Sequence, residues 1–344
     1  MKRTLVVALV SMFMILCVQA FSATSDYTLE FSTLGPCKIL IASPTKQWNK
    51  NILIVAHGQA NLNRPLSAHF NAASPAYLEL LKSGWMIAST SYYSNGPIGR
   101  RALPDIIQLR DYLAYKYVPN AIYMRGQSSG GSCAAAIAES YPEKFDGFLA
   151  IGASLGIQLN NNPKLPIVFV HNQDEVIRVK SYISNIPEGA IKPASWYVER
   201  DGHCNVLDSE WLAAFRALIS YKKTGEIELI KNITSLKPPV STAVFKDGGA
   251  YGKVWMGSGY GEMYASFTQA DMEKLKILPN TQFIMKCPNQ EIKITYLAAK
   301  ENAPVGPWRA SIGLEQFLGL TFKGSDAFEA LGCKPNDKVF IKKI

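Results

Sequence analysis

Apolar runs alternate with helical periods through residues 24–228 of this 344-residue chain. The runs are short and rich in β-branched and aromatic residues, and they are apolar at nearly every position, which is typical of parallel strands covered by helices on both faces. We therefore predict an α/β domain with a mostly parallel sheet. The predicted strands are ILIVAHG (52–58), WMIASTSYY (85–93), NAIYMRG (120–126), FDGFLAIGAS (145–154), PIVFVHN (166–172) and ASWYVER (194–200). The predicted helices include PAYLELLKSG, DIIQLRDYLAYKY, SCAAAIAESY and SEWLAAFRALISYKKTG.

The pattern of the sequence changes after residue 228. Residues 229–240 are rich in proline and small polar residues, which predicts a linker. Beyond it, short β-like stretches such as TQFIMKC, IKITYLA and KVFIKKI are separated by Gly, Pro and Asn turns. Residues 241–344 are therefore predicted to form a second, small, mostly β domain that resembles a barrel.

The N-terminus has a basic start, an apolar centre and a small-residue end, MKRTLVVALVSMFMILCVQAFSA. This pattern predicts a secretory signal peptide over residues 1–20, cleaved after Ala20 or, as an alternative, after Ser22. An uncleaved membrane anchor is the other interpretation, but the apolar run is short for a membrane span. We expect an exported protein, periplasmic or secreted, with no membrane attachment once the leader is removed.

Composition excludes several classes of function. Hydrophobic residues make up 48% of the chain and charged residues 18%, as in ordinary globular proteins. Loss of Lys2 and Arg3 with the leader lowers the formal net charge from +9 to +7, and no dense Lys/Arg block carries it, so no nucleic-acid partner is expected. Five of the six cysteines remain. Their spacing matches no zinc pattern, and we expect neither a metal nor a cofactor.

A serine framed by glycines follows one predicted strand, in the stretch RGQSSGGSCA (125–134). Gly126-Gln127-Ser128-Ser129-Gly130 is a G-x-S-x-G pattern that opens a small-residue helix, which is the context of a nucleophile elbow. A Gly/Ser loop is the plainer interpretation of these residues alone. The strand before it and the helix after it favour Ser128 as a nucleophile.

A serine hydroxyl needs a general base and an acid that orients the base. Only His171 and His203 follow Ser128, and His171 leaves no strand-end acid between itself and the serine. His203 lies in the loop GHCN after the last predicted strand. We therefore predict Ser128 as nucleophile, Asp174 as orienting acid and His203 as base, with Glu175 and Asp201 as alternatives for the acid.

A tetrahedral oxyanion needs backbone N–H donors. We assign the N–H of Ser129, directly after the nucleophile, and the N–H of Gln59, with Ala60 as an alternative. His57 is expected to support that loop. Tyr92 and Tyr93, at the end of a predicted strand, are candidates for the substrate rim or for simple packing.

Four motifs in this order, namely HG, GQSSGG, QDE and GHCN, resemble the α/β-hydrolase family over residues 24–228. The resemblance implies a Ser-Asp-His hydrolase. The stretch YPEKFDGFLAIGAS is similar to secreted esterases of the feruloyl esterase, tannase and polyester depolymerase kind, and the short GIQLNNNPKLP segment implies that no cap domain is inserted there.

The tail resembles the C-terminal β-barrel domain of S-adenosyl-L-methionine hydroxide adenosyltransferases, above all in G-S-x-A-x-x-x-L-G-x-K-x-x-D-K-V from Gly324 to Val339. The family's catalytic N-terminal domain is not found here, its YGN is Tyr260-Gly261-Glu262, and Phe322-Lys323 replaces a basic/Asn pair. The resemblance therefore implies a barrel used for substrate binding or for assembly into a homo-oligomer.

Together these features predict an exported serine hydrolase that cleaves small-molecule or polymer-attached carboxylic esters through an acyl-enzyme. A peptidase, amidase or thioesterase with the same triad is an alternative, because the sequence does not show the leaving group. A non-catalytic binding or assembly protein on a hydrolase scaffold is an alternative from another class.

Overall fold

A computed structural model describes residues 26–72, 74–235, 240–257, 262–297, 307–313, 316–322, 327–334 and 337–344. The predicted signal peptide, residues 1–20, lies outside the described residues. Within the part of the chain that is described, none of the helices has the length and apolar character needed to span a bilayer.

A single large sheet organises the N-terminal half, and its described strands run in the order β1-β2-β4-β3-β5-β6-β7-β8-β9. The hairpin β1–β2 is antiparallel, as is the β2–β4 pair, whereas every pairing from β4 to β9 is parallel. The strands are β1 Tyr27–Leu34, β2 Cys37–Pro44, β3 Asn51–Ala56, β4 Met86–Thr90, β5 Ala121–Gln127, β6 Gly147–Ile151, β7 Ile167–Asn172, β8 Ala194–Val198 and β9 Ile230–Asn232.

Helices cover both faces of this sheet because its central strands are apolar on both sides. In β3, Ile52 and Ile54 join one buried cluster, and Leu53 and Val55 join the cluster on the opposite face. The first cluster includes residues of α2, α3 and α4, and the second includes residues of α1 and α5. The helices are α1 Pro75–Lys82, α2 Leu103–Tyr117, α3 Ser129–Ser140, α4 Val176–Ser184 and α5 Asp208–Thr224.

This arrangement is an α/β-hydrolase-like fold, and it confirms the predicted fold class. Residues 152–166, between β6 and β7, contain no helix or strand, so nothing folded is inserted there. The main sheet extends beyond the predicted boundary at 228, because Ile230–Asn232 pairs with β8 inside the predicted linker. Periodicity could not reveal this edge strand, since it is three residues long and only its middle residue is partly buried.

The C-terminal region is a closed β-barrel, as its sequence predicts. Seven strands close the ring in the order β11-β12-β16-β15-β14-β13-β17 and back to β11, and β10 pairs with β11 outside the ring, counting the described residues alone. Its interior is apolar, with Phe267, Phe283 and Leu318 fully buried. The elements are β10 Val244–Lys246, β11 Gly249–Gly257, β12 Met263–Thr268, α6 Gln269–Lys274, β13 Gln282–Lys286, β14 Glu291–Tyr296, β15 Trp308–Ile312, β16 Phe317–Phe322, α7 Ala327–Leu331 and β17 Lys338–Lys343.

The resemblance of the barrel to the adenosyltransferase domain stays a prediction. Of the positions where the chain departs from that family, Tyr260, Gly261 and Lys323 lie outside the described residues.

Candidate active site

Ser128 occupies a strained turn between β5 and α3. Its backbone has φ 55° and ψ −117°, a conformation that costs a non-glycine residue energy and recurs at functional sites. The Ser128 N–H donates to the Ile151 carbonyl at 2.8 Å, and the Ser128 carbonyl accepts from Ser132 N–H at 3.2 Å. The surrounding sheet and helix therefore hold the strained turn in place.

The glycines on either side of Ser128 are required by close backbone approach. A Cβ on Gly126 would overlap the backbone of Gly130, and a Cβ on Gly130 would overlap the carbonyl oxygens of Ala56 and His57. The G-x-S-x-G spacing thus lets α3 pack directly against β3 and β5 and leaves the serine at the sheet edge.

His203 lies in the loop that follows β8 and faces Ser128. The distance from His203 Nε2 to Ser128 Oγ is 2.8 Å, within hydrogen-bonding reach. The His203 side chain is 52% exposed, so one side of the pair faces solvent. His171, the other histidine considered as a base, is instead buried and hydrogen-bonds Ser195 Oγ through Nε2 at 2.9 Å.

Glu175 is the carboxylate that holds His203. Its Oε1 lies 2.5 Å from His203 Nδ1, and because a carboxylate accepts only, Nδ1 carries the proton and Nε2 is free to accept from Ser128. The same Oε1 accepts from Cys204 N–H at 3.2 Å, and Oε2 accepts from Asn172 N–H at 2.8 Å. These bonds fix the carboxylate at the carboxyl end of β7.

The electrostatics of Glu175 suit this position. Burial disfavours its charged form, but the hydrogen bonds from His203 and from the Asn172 backbone outweigh burial, so the pKa of Glu175 lies below its ordinary value. The carboxylate is therefore ionised at neutral pH and faces the imidazole directly.

Asp174, the predicted orienting acid, does not contact His203 through any described hydrogen bond. Its Oδ1 accepts from Gly202 N–H at 3.3 Å instead, and its neighbour Glu175 takes the acid position. The reason is local: residues Gln173–Glu175 form one 3₁₀ turn, in which successive side chains point in directions about 120° apart. Asp201, the other alternative, accepts at its backbone carbonyl from Asn205 Nδ2 at 2.9 Å.

The loop after β3 runs beside the serine on the other side. A Cβ built on Gly58 would lie 3.0 Å from Ser128 Cβ, so this glycine permits close contact between the loop and the nucleophile. Gln59, the predicted donor of an oxyanion N–H, follows directly and is half-buried. Ser129, the other predicted donor, is the first residue of α3, where backbone N–H groups lack partners within the helix.

His57 and Tyr92 support this loop through contacts with each other and with its backbone. Tyr92 Oη donates to the His57 carbonyl at 2.9 Å, and the two rings pack with centroids 4.2 Å apart. Burial, with a contribution from neighbouring His69, lowers the pKa of His57 to about 3, so its ring is neutral. Its Nδ1–H then donates to the Gly58 carbonyl at 2.7 Å.

Only one of the two predicted rim tyrosines faces solvent. Tyr92 is fully buried, so it packs beneath the site and does not line a substrate pocket, whereas Tyr93 is 46% exposed. The two tyrosines differ in exposure because Tyr92 has φ 57°, a left-handed conformation that turns the chain at the strand end. Sequence alternation alone does not predict such a turn.

Glu175, His203 and Cys204 are also the one group of three metal-type ligands found among the described residues. Glu175 and His203 already bind each other. Burial and the Glu175 carboxylate raise the pKa of the Cys204 thiol, so it stays protonated, and its Sγ lies near the Ile151 carbonyl at 3.6 Å. These contacts fit a hydrogen-bonded triad better than a metal site.

Comparison with known proteins gives similarity of fold alone. No protein-family model and no curated protein matches the chain. Among solved structures, it is similar to a dienelactone hydrolase from Anabaena variabilis (13% identity, 59% of this chain and 100% of that chain, TM-score 0.40). It is also similar to an esterase from Pyrococcus furiosus (13% identity, 56% and 92%, TM-score 0.44) and to an arylesterase (13% identity, 64% and 90%, TM-score 0.43). At these identities and TM-scores the similarity says nothing about the reaction.

Proposed function

We propose that the protein is a serine hydrolase that cleaves carboxylic esters through an acyl-enzyme. The observation that carries this proposal is the hydrogen-bonded series from Ser128 Oγ to His203 Nε2 and from His203 Nδ1 to Glu175. A nucleophile, a base and an acid in this relation have the geometry of a catalytic triad.

Acylation follows from the direction of these bonds. Ser128 Oγ attacks the ester carbonyl carbon while its proton passes to His203 Nε2, and Glu175 stabilises the imidazolium that forms. Collapse of the tetrahedral intermediate breaks the bond to the alcohol oxygen, which takes the proton from His203. A water molecule, deprotonated by the same nitrogen, then attacks the acyl-enzyme. The bond to Ser128 Oγ breaks, Ser128 takes that proton back from His203, and the carboxylic acid is released.

The negative oxygen of each tetrahedral intermediate needs fixed donors. We assign the backbone N–H groups of Ser129 and Gln59 to this role. The N-terminal end of α3 carries a partial positive charge that supports the Ser129 donor. The bond from His57 Nδ1 to the Gly58 carbonyl supports the Gln59 donor, because a planar peptide unit points its C=O and its N–H in opposite directions.

The substrate class is inferred from the shape of the site. The 52% exposure of His203 and the absence of folded insertion at residues 152–166 favour an ester whose remainder extends into solvent, such as a bulky or polymer-attached one. Amides and thioesters would use the same residues, so the leaving group is a matter for experiment. We further propose that the protein acts after export, in the periplasm or outside the cell.

A fluorophosphonate probe tests the proposal on the mature protein. We expect labelling at Ser128 and its loss in Ser128→Ala and His203→Ala, whereas Ser220→Ala, an exposed serine on α5, retains labelling. Wild-type protein that is folded but unlabelled would refute the enzyme proposal and favour the binding-protein alternative. A panel of p-nitrophenyl acyl esters, hydroxycinnamoyl esters and aminoacyl amides then identifies the leaving group.

A further inference from the structure

The loop that carries His203 is organised around Asn205. Its backbone N–H donates to Asn172 Oδ1 at 2.8 Å, and its carbonyl accepts from Asn172 Nδ2 at 3.0 Å. Its own Nδ2 donates to the Asp201 carbonyl at 2.9 Å, closing the loop around His203. Cys204, between His203 and Asn205, has φ 54°, a conformation that must be held by its surroundings.

The C-terminal barrel reaches this same asparagine. Gln316, in the turn between β15 and β16, donates from Nε2 to Asn205 Oδ1 at 3.2 Å. The turn is itself closed by two backbone bonds, from Gly313 N–H to the Phe317 carbonyl at 2.9 Å and from Gln316 N–H to the Gly313 carbonyl at 3.1 Å. These bonds tie Gln316 to Gly313 and Gly313 to Phe317, so the Gln316 amide is presented in a defined position.

A second pair of residues links the barrel to the loop after β3. The carboxylate of Glu329, on α7, acts on the Arg64 guanidinium, where it partly offsets the lowering of the Arg64 pKa by burial. Arg64 belongs to the loop after β3, and its carbonyl accepts from Asn95 Nδ2 at 2.7 Å. Gly58, in the same loop, lies against Ser128, so the barrel approaches both loops that flank the nucleophile.

We infer that the C-terminal barrel forms a wall of the cleft at Ser128 and that Gln316 is a positioning residue that holds the His203 loop through Asn205. This inference rests on the proposed function for its kinetic consequence and on the Gln316–Asn205 contact for its structural one. The barrel is thereby part of the catalytic unit, and substrate groups that leave the cleft on this side meet Gln316.

Steady-state kinetics of the full-length mature protein test the inference. Because a less ordered base slows proton transfer without weakening ground-state binding, we expect Gln316→Ala to lower kcat about 3- to 10-fold with KM nearly unchanged. Gln316→Glu keeps the size of the side chain but cannot donate to Asn205 Oδ1, so it should lose at least as much. Gln282→Ala, on an exposed position of β13, is the matched control and should behave as wild type.

A double-mutant cycle ties the effect to the contact. In an Asn205→Ala background, the further change Gln316→Ala should have no additional effect on kcat, because its partner is already gone. Equal effects of Gln316→Ala in both backgrounds would overturn the assignment.

Hydrogen exchange separates this inference from the proposed function. Amides of residues 200–207 should exchange faster in Gln316→Ala than in wild type or Gln282→Ala, whether or not the protein turns over an ester. Unchanged exchange and unchanged kcat in Gln316→Ala and Gln316→Glu would overturn the inference even if Ser128 reacts with fluorophosphonate. Faster exchange in a protein that the probe does not label would support the contact and refute the hydrolase.

Discussion

His203 Nδ1 lies 2.5 Å from the carboxylate of Glu175, although an aspartate stands at the preceding position in the chain. The two acids are adjacent, yet one bonds the imidazole and the other bonds the Gly202 backbone. This relationship makes the acid the most sharply testable residue of the site.

Substitution of the two adjacent acids should give very different results. Glu175→Gln removes the charge that stabilises the imidazolium and permits the wrong tautomer of His203, so kcat should fall about a thousandfold or more. Asp174→Asn removes one exposed charge and should change kcat less than about twofold. Ester hydrolysis by both purified variants measures the difference, and a larger loss in Asp174→Asn would reverse our assignment of the acid.

Substitutions of the two adjacent tyrosines should also have different effects. Tyr92→Phe deletes a buried hydrogen bond to the His57 carbonyl, which should lower the free energy of unfolding by about 1 kcal/mol. Tyr93→Ala removes an exposed ring that we predict to line the substrate rim, which should raise KM for bulky esters and leave stability nearly unchanged. Urea unfolding together with KM values for short and long acyl esters checks both, and a Tyr93→Ala variant with wild-type KM values would remove Tyr93 from the substrate rim.

Stability should decline on the acid side because of His57. An unfolded histidine binds its proton near pH 6.5, whereas the folded His57 does so only at about pH 3. Between these values the unfolded chain holds a proton that the folded chain does not, so stability is full above pH 6.5 and is lost as pH falls towards 3. The lowered pKa values of His69 and His171 add to the effect in the same direction.

His57→Gln tests this dependence. In urea unfolding between pH 6 and 4.5, the slope of unfolding free energy against pH should be smaller than in wild type by about 1.4 kcal/mol per pH unit, the value for one proton, whereas above pH 6.5 the two slopes should agree. Parallel curves for the two proteins would contradict the prediction.

The cysteines should differ in reactivity. Burial raises the pKa of Cys133 to about 12 and that of Cys37 to about 11, and it also raises the pKa of Cys204. A hydrogen bond between the Cys287 and Cys333 thiols lowers the pKa of Cys333 and, together with burial, raises the pKa of Cys287. Because the thiolate is the reactive form, iodoacetamide should modify Cys333 before the other cysteines of the native protein. Peptide mass spectrometry identifies the labelled residues, and early labelling of Cys133 would count against this ranking.

Export should remove the first twenty residues. Mass spectrometry of protein recovered from outside the cytoplasm should find Phe21 at the N-terminus, or Ala23 if cleavage follows Ser22. Ala20→Arg replaces the small residue before the cut and should reduce cleavage there. A mature chain that retains Met1 would favour the membrane-anchor interpretation.

The domain order and the sheet could be predicted because they follow from periodicity. In β3, every residue from Ile52 to Val55 is buried, and this pattern requires helices on both sides of a parallel sheet. The nucleophile elbow at Ser128 could also be predicted, since a serine between glycines at a strand–helix junction has few other uses. The three-residue edge strand β9 and the contact between Gln316 and Asn205 left no pattern in the sequence, because single hydrogen bonds have no periodicity.

The sequence by itself determined the fold class and predicted that Ser128 and His203 face each other, which they do at 2.8 Å, because strand order and glycine spacing constrain where these residues can stand. Only the tertiary structure decided which of Asp174 and Glu175 contacts His203, and which of Tyr92 and Tyr93 is exposed to solvent. Neighbouring residues of similar chemistry satisfy the same motif, and the turn that carries them determines which one faces the site. A backbone rotation of one residue in a 3₁₀ turn, or one left-handed φ, is enough to exchange their roles.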